Sequence, residues 1–378
     1  GHPRLGRHDL APTQRGAVTT ADPSPFAADM ASRFGEVWNQ MSLLRLGRSL
    51  PRLTVNLVSD SRFGVEIQQA GEHHLIVRLT SGTCARLKAA VLDSQTQIEQ
   101  AVTHRQEELG LGRLDQAALL ESVLSMARTF VITHELCHVL CGHTATTPNF
   151  TAIEPGGVIS PADVATRYIA ELEADGTALE LMIDRMGFGD LAYTGTTGGG
   201  EAECGGTSIA TLEGADRILA FRCLTTAAWV VIALLESEHE SLGRAVGAYP
   251  LPSARLHAAV HTLLASYADL VAIDPAPVEG APVTSATESD ARLVGEFLRD
   301  VLTPCALWLD DVPTVELGSR LLSGGSTVEP GAAALAFVQD VGFMVMQETV
   351  ATEGARELEA LQAMRASAAV AFAAHSYL

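Results

Sequence analysis

Apolar residues alternate with polar ones in three short stretches of the first third of the chain. The stretches are LTVNLVS at 53–59, GVEIQQ at 64–69 and HHLIVRLTSG at 73–82. Alternation of this kind, with several β-branched residues, is typical of half-buried strands. The pattern predicts a small mixed β-sheet.

Elsewhere the apolar positions mostly follow the helical period. Predicted helices before residue 273 lie near 27–47, 83–108, 114–142, 160–187, 211–238 and 253–272. Further helical patterns lie near 288–303, 329–347 and 352–374. The fold class that follows is α+β and mostly helical.

Composition divides the chain into regions. Residues 1–26 are rich in Pro, Arg, Thr and Gly and predict a flexible tail. Residues 27–272 form the main predicted domain, and 273–287 (IDPAPVEGAPVTSAT) is a linker by composition. The helical region at 288–378 either forms its own bundle or packs on the first. Within the main domain, TGTTGGGEAECGG at 194–206 predicts a flexible loop.

Charge and cysteine usage narrow the classes of function. Acidic residues outnumber basic ones by 45 to 25, a formal charge of −20, which disfavours binding to nucleic acid or anionic membranes. The six cysteines show no CxxC spacing and predict free thiols in a reducing compartment. The longest apolar run, 223–235, is shorter than the roughly 20 residues of a spanning helix. We therefore expect a soluble cytoplasmic protein without membrane insertion.

The motif HExxH at His134, Glu135 and His138 indicates metal chemistry. Histidines four residues apart on a helix point the same way, so both rings reach one ion. The intervening glutamate is placed to act as general base toward a water at that ion. The alternative is a buried helix whose two histidines are satisfied by neighbouring groups.

A catalytic zinc takes three protein ligands, and Glu171 is the best candidate for the third. It shares a helix face with Asp175, whereas Glu173 points to another face. We expect Glu171 to ligate the ion and Asp175 to accept a hydrogen bond from the outer nitrogen of a ligand histidine. The alternative is a solvated acidic helix face.

Several other residues compete for roles at this site. His143 does not have the spacing from HExxH at which metzincins have their third ligand. If the helix ends at Gly142, His143 does not share the helix face of the motif histidines, and we expect it to make a helix-end or substrate-side contact. Cys137 and Cys141 lie about 60 degrees from the motif histidines and are expected to be packing residues. Cys204, in the glycine-rich loop, could reach and block the metal, which is a hypothesis.

A second histidine pair, His257 and His261, has no glutamate in register and predicts ordinary helix-face residues. Just before it, YPLPSAR at 249–255 is a rigid turn that places Arg255 in the first turn of a helix. Tyr249 or Arg255 would stabilise an oxyanion or orient a substrate carbonyl. The equally weighted alternative is a helix start with a surface arginine.

Four segments together resemble the gluzincin metallopeptidases, which combine HExxH with a downstream ExxxD. The segments are LIVRLTSGT at 75–83, HELCHVLCGH at 134–143, ELEAD at 171–175 and YPLPSARL at 249–256. They resemble most the CaaX-prenyl and heat-shock endopeptidase family and the soluble phage-exclusion peptidases of the Lit type. Tyr249 stands where the family has histidine, and the resemblance covers roughly residues 53–260.

The resemblance implies a zincin-like core in which His134, His138 and Glu171 bind Zn²⁺. Glu135 would be the general base and Asp175 a supporting residue. The function it implies is a zinc endopeptidase acting on a protein or peptide substrate, which would bind extended along an edge strand at 74–81. Two alternatives remain open: a catalytically silent or regulated zincin-fold interaction protein, and a metal-dependent amidase acting on a small substrate.

Overall fold

The computed structural model describes residues 24–43, 49–71, 73–109, 115–146, 161–185, 187–188, 207–241, 252–273 and 295–305, together with Ser376. Several sequence predictions lie outside these residues. They are the tail up to residue 23, the loop at 194–206 with Cys204, Tyr249, most of the linker at 273–287, the side chain of His257 and the helices at 329–347 and 352–374.

The three predicted strands form one sheet. β1 is Arg52–Val58, β2 is Val65–Gly71 and β3 is His74–Thr80. The strand order is β1-β3-β2, with β1 parallel and β2 antiparallel to β3. Leu75, Val77 and Leu79 alternate along β3 and are buried, because one face of the sheet lies on the helical core.

The expectation that residues 74–81 form an edge strand is wrong. Val77 of β3 pairs with Val55 on one side and with Ile67 on the other. Both backbone edges of β3 are therefore already hydrogen-bonded, and a substrate cannot add to them. The edges of this sheet are β1 and β2.

Helices make up most of the described chain, so the fold is mostly helical α+β. Their bounds are α1 Pro25–Ser42, α2 Ser81–Asp93, α3 Gln95–Thr103, α4 Gln116–Leu140, α5 His143–Thr146, α6 Pro161–Asp184, α7 Gly214–Ser241 and α8 Pro252–Ile273. Two short strands, β4 (Gly187–Phe188) and β5 (Thr207–Ser208), pair after α6. The single helix expected at 83–108 is instead two, divided at Ser94, a residue type that favours helix ends.

α4 lies at the centre of the helical layer. It packs against α1, α2, α3, α6 and α7. Its apolar residues are buried around most of the helix, which explains why the sequence there lacks a clear polar face. The HExxH motif lies in the last two turns of this central helix.

α7 is more apolar than the run at 223–235 suggested. Among the described helices it alone is long and apolar enough to cross a membrane, through Gly214–Leu235, and 89% of its most apolar window is buried in the fold. α7 packs against α4, α8 and residues 298–302, and this burial accounts for its composition.

The described part of the C-terminal region, residues 295–305, packs back on the main domain. Phe297, Val301, Leu302 and Cys305 are fully buried in the same core as α7. The buried guanidinium of Arg222, on α7, donates hydrogen bonds to the carbonyls of Asp300, Val102 and His104. Residues 295–305 therefore pack on the main domain and do not belong to a separate bundle.

Candidate metal centre

The two motif histidines meet at one point beside α4. His134 and His138 lie one helical turn apart, and their Nε2 atoms are 3.2 Å from each other. Each residue is only 5% exposed. Both rings therefore present one nitrogen to the same buried space, as the i, i+4 spacing predicts.

Glu171 approaches the same point from α6. Its Oε2 lies 3.4 Å from Nε2 of His134, and its Oε1 lies 3.8 Å from Nε2 of His138. The ligand atoms of the three residues are all within 4.8 Å of one another. Two imidazoles and one carboxylate at this spacing could hold a metal ion. This group of buried residues is the candidate metal centre.

Asp175 lies one turn after Glu171 on α6 and contacts the outer nitrogen of His134. Its Oδ1 is 2.9 Å from Nδ1 of His134, and the aspartate is fully buried. When the ring is neutral, a carboxylate at Nδ1 favours the tautomer with its proton there, which leaves the lone pair on Nε2 for a metal ion. The structure thus places Asp175 where the sequence predicted it.

Arg255, in the first turn of α8, is bound to Asp175. Its Nε and Nη2 donate hydrogen bonds of 2.7 Å each to the two carboxylate oxygens. Its Nη1 also lies 3.7 Å from Oε2 of Glu171. The alternative of a surface arginine is wrong, because Arg255 is 4% exposed. The guanidinium is therefore held by the carboxylates of α6, and its role toward a substrate stays a prediction.

These contacts set the charge of the centre. Burial would raise the pKa of Glu171, but the neighbouring histidines and Arg255 outweigh it and lower that pKa. Asp175 shows the same balance, with Arg255 the largest favourable contribution. Both carboxyl groups are therefore ionised at neutral pH, which suits a cation.

The surroundings shift the pKa values of the two histidines in opposite directions. Burial lowers the pKa of His138 well below its ordinary value, so this ring is neutral. Burial also acts to lower the pKa of His134, but the Asp175 and Glu171 carboxylates outweigh it and raise that pKa to about 10. A metal ion binding here would displace one proton from His134.

Glu135 differs from its neighbours in exposure. Within residues 131–140 of α4, Glu135 alone is partly exposed, and the other residues are buried. It therefore lies at the rim of the buried centre, on the side that solvent reaches. This placement suits a group that exchanges protons with water.

His143 was expected to make a helix-end or substrate-side contact, and it contacts a motif histidine instead. Gly142 has a positive φ of 83° and ends the helix, which turns His143 back toward α4. Nδ1 of His143 lies 3.0 Å from Nδ1 of His138, and its Nε2 lies 3.1 Å from Oε2 of Glu173. Sequence reasoning missed this link because the helical period does not determine the direction of the chain after Gly142.

The cysteines of α4 and its end do not belong to the candidate metal centre. Cys137 and Cys141 are buried and are not among the residues that converge with His134. Burial raises the pKa of the Cys137 thiol well above its usual value, so it stays protonated and packs as an apolar residue. Tyr249 and Cys204 lie outside the described residues.

In comparisons with protein-family models, curated proteins and solved structures, nothing matches this chain. The likeness to gluzincins therefore rests on the sequence motifs alone.

Proposed function

We propose that this chain is a zinc-dependent endopeptidase with a zincin-like core. The observation that carries the proposal is the convergence of His134, His138 and Glu171, with Asp175 on the outer nitrogen of His134. Two histidines, a glutamate and a supporting carboxylate are the donor set of a catalytic zinc with one open position. A helix with two chance histidines would not require three further buried charged groups around them.

Zinc fits this donor set because imidazole and carboxylate groups are both among its usual ligands. His134, His138 and Glu171 would hold it. When bound, zinc would lower the pKa of a water and polarise the substrate carbonyl.

Glu135 would act as the general base and then as the general acid. Its carboxylate takes one proton from the attacking water as the water oxygen bonds to the carbonyl carbon. It then gives that proton to the amide nitrogen as the carbon–nitrogen bond breaks, which leaves a carboxylic acid and an amine. The partial exposure of Glu135 allows water to reach it.

The extended substrate would bind along β2, not along β3. β2 is an edge of the described sheet, and it packs against α4 and α5, the elements that carry the motif and His143. Gln68 and Gln69 on this strand are exposed. A peptide hydrogen-bonded to this edge would run beside the metal centre.

The proposal is tested by Glu135→Gln, with Glu121→Gln as the matched control. Glu121 lies on the same helix, and its side chain is 66% exposed. We expect both variants to bind one zinc in metal analysis and to keep the wild-type circular dichroism spectrum. Cleavage of proteome-derived peptides should be lost by at least about a hundredfold in Glu135→Gln alone.

Retained cleavage in Glu135→Gln would refute the mechanism. A wild-type chain that binds zinc and cleaves no protein would favour one of the two alternatives. Activity toward small amides would then identify the amidase, and its absence would favour the regulatory protein.

A further inference from the structure

A second cluster of metal-binding side chains lies beside the first. Cys141, His143 and Glu173 bring their ligand atoms within 4.8 Å of one another. Cys141 and His143 are buried, whereas the side chain of Glu173 is 27% exposed and gives the cluster a path to solvent. The peptidase mechanism uses none of the three.

The end of α4 builds this cluster. The helix ends at Leu140, Cys141 caps it, and the left-handed Gly142 turns the chain so that His143 follows on the same side. Glu173 is supplied by α6, between Glu171 and Asp175 but on another face. α4 with the turn that follows it, and α6, therefore supply the residues of both clusters.

The donor types suit a transition metal. A thiolate, an imidazole and a carboxylate are all zinc ligands, and three of them leave one position for water. The Nε2 atom of His143 and Oε2 of Glu173 are 3.1 Å apart, a spacing that two ligands of one tetrahedral ion can have. We propose that Cys141, His143 and Glu173 form a second metal site whose occupation opposes occupation of the first.

The opposition follows from the contact between the two rings. Nδ1 of His138 and Nδ1 of His143 are 3.0 Å apart, so they share a single proton. A metal on Nε2 of His138 requires this proton on its own Nδ1, with His143 as the acceptor. A metal on Nε2 of His143 requires the proton on the other ring.

Both sites can fill together only if the shared proton also leaves, which produces an imidazolate at additional cost. The two metals also repel each other. Each metal therefore weakens the other by the same factor, because coupling between two binding events is reciprocal. The site with the higher affinity therefore fills first, and the other fills only at a higher free metal concentration.

Titration with Co²⁺ at buffered free concentration tests the second site directly. A thiolate ligand gives Co²⁺ an intense near-ultraviolet charge-transfer band, whereas the histidine and carboxylate ligands of the first site do not. We expect a first Co²⁺ without this band and a second with it. The readout is metal binding, so it does not depend on whether the chain is a peptidase.

Matched variants assign the band to residues. Cys141→Ala should abolish it, and Cys137→Ala, a buried cysteine on the same helix, should retain it. Glu173→Gln should move its midpoint to higher free Co²⁺, while Glu180→Gln, exposed on the same helix, should not. Circular dichroism verifies the fold of each variant. A missing band, or a band that survives in Cys141→Ala, would overturn the site.

The opposition has its own test. His134→Ala weakens the first site and leaves the contact between His138 and His143 in place, and Glu171→Gln does the same from α6. In either folded variant the midpoint of the band should move to lower free Co²⁺. A merely structural defect would not tighten binding. An unchanged or higher midpoint in both variants would show that the two sites are independent.

Discussion

Arg255 and Asp175 form a buried, bidentate ion pair, with two hydrogen bonds of 2.7 Å between α8 and α6. The same aspartate holds Nδ1 of His134 at 2.9 Å. The position of His134 on α4 is thereby linked to the first turn of α8. Arg255 lies outside the candidate ligands, yet it would influence how a metal ion is held.

Removing the arginine should destabilise the protein. Arg255→Ala leaves the carboxylate of Asp175 buried without its main partner, and breaking a buried pair in this way costs about 3–5 kcal/mol. Urea unfolding of the metal-free protein measures the loss. Arg185→Ala, an exposed arginine after α6, should change the free energy of unfolding by less than about 0.5 kcal/mol. Equal effects in both variants would contradict a special role for Arg255.

Neutralising the aspartate should weaken metal binding. Asp175→Asn keeps the shape of the side chain but removes the charge that fixes the His134 ring and favours a cation. Loss of such a supporting group typically lowers metal affinity about 10–100-fold. Competition with a chromophoric chelator measures this, with Asp184→Asn, exposed on the same helix, as the control. Unchanged affinity in Asp175→Asn would refute the supporting role.

Metal affinity at the first site should rise with pH. The Asp175 and Glu171 carboxylates raise the pKa of His134 to about 10, so the metal-free protein carries a proton that the metal must displace. Below that pKa, each unit of increasing pH should strengthen binding about tenfold, since one proton is released per metal bound. His138 adds no second proton, because burial lowers its pKa. Binding that is constant between about pH 7 and pH 9 would contradict this assignment.

Gly82, in the first turn of α2 directly after β3, packs closely against the loop between β1 and β2. A Cβ atom at this position would lie 2.3 Å from the carbonyl oxygens of both Ser61 and Arg62. The backbone N–H of Gly82 also donates a 2.7 Å hydrogen bond to the carbonyl of Asp60. Gly82→Ala must displace this loop and should cost about 1–3 kcal/mol of stability. Thermal unfolding measures the effect.

Gly35 provides the comparison for that variant. It lies inside α1, and a Cβ there meets no atom within 4 Å. Gly35→Ala should therefore be neutral or stabilising by up to about 1 kcal/mol, because alanine favours the helix. A similar loss of stability in both variants would exclude the clash as the cause.

Local patterns predicted the elements and much of the centre. The i, i+4 spacing of His134 and His138, and of Glu171 and Asp175, is a property of single helices, so it can be read without tertiary information. The strands could be found in the same way. These predictions need only the spacing of apolar and polar residues within a single helix or strand.

Pairing between distant segments could not be predicted in this way. Alternation along β3 shows that one face is buried, but it does not show which strands lie at its two edges. The partner of Arg255 lies 80 residues away, and Glu173 lies 30 residues from His143. For these contacts the sequence supplied the residue types but not the neighbours.

The distance between Asp175 and Arg255 along the chain also determines when the centre can form during synthesis. The ribosome releases α4 and α6 before α8, so the emerging chain holds both histidines and both carboxylates before it holds their arginine. Until α8 docks, Asp175 lacks its compensating charge. The buried ion pair between Asp175 and Arg255 can therefore form only after α8 has been synthesised and has packed on α6.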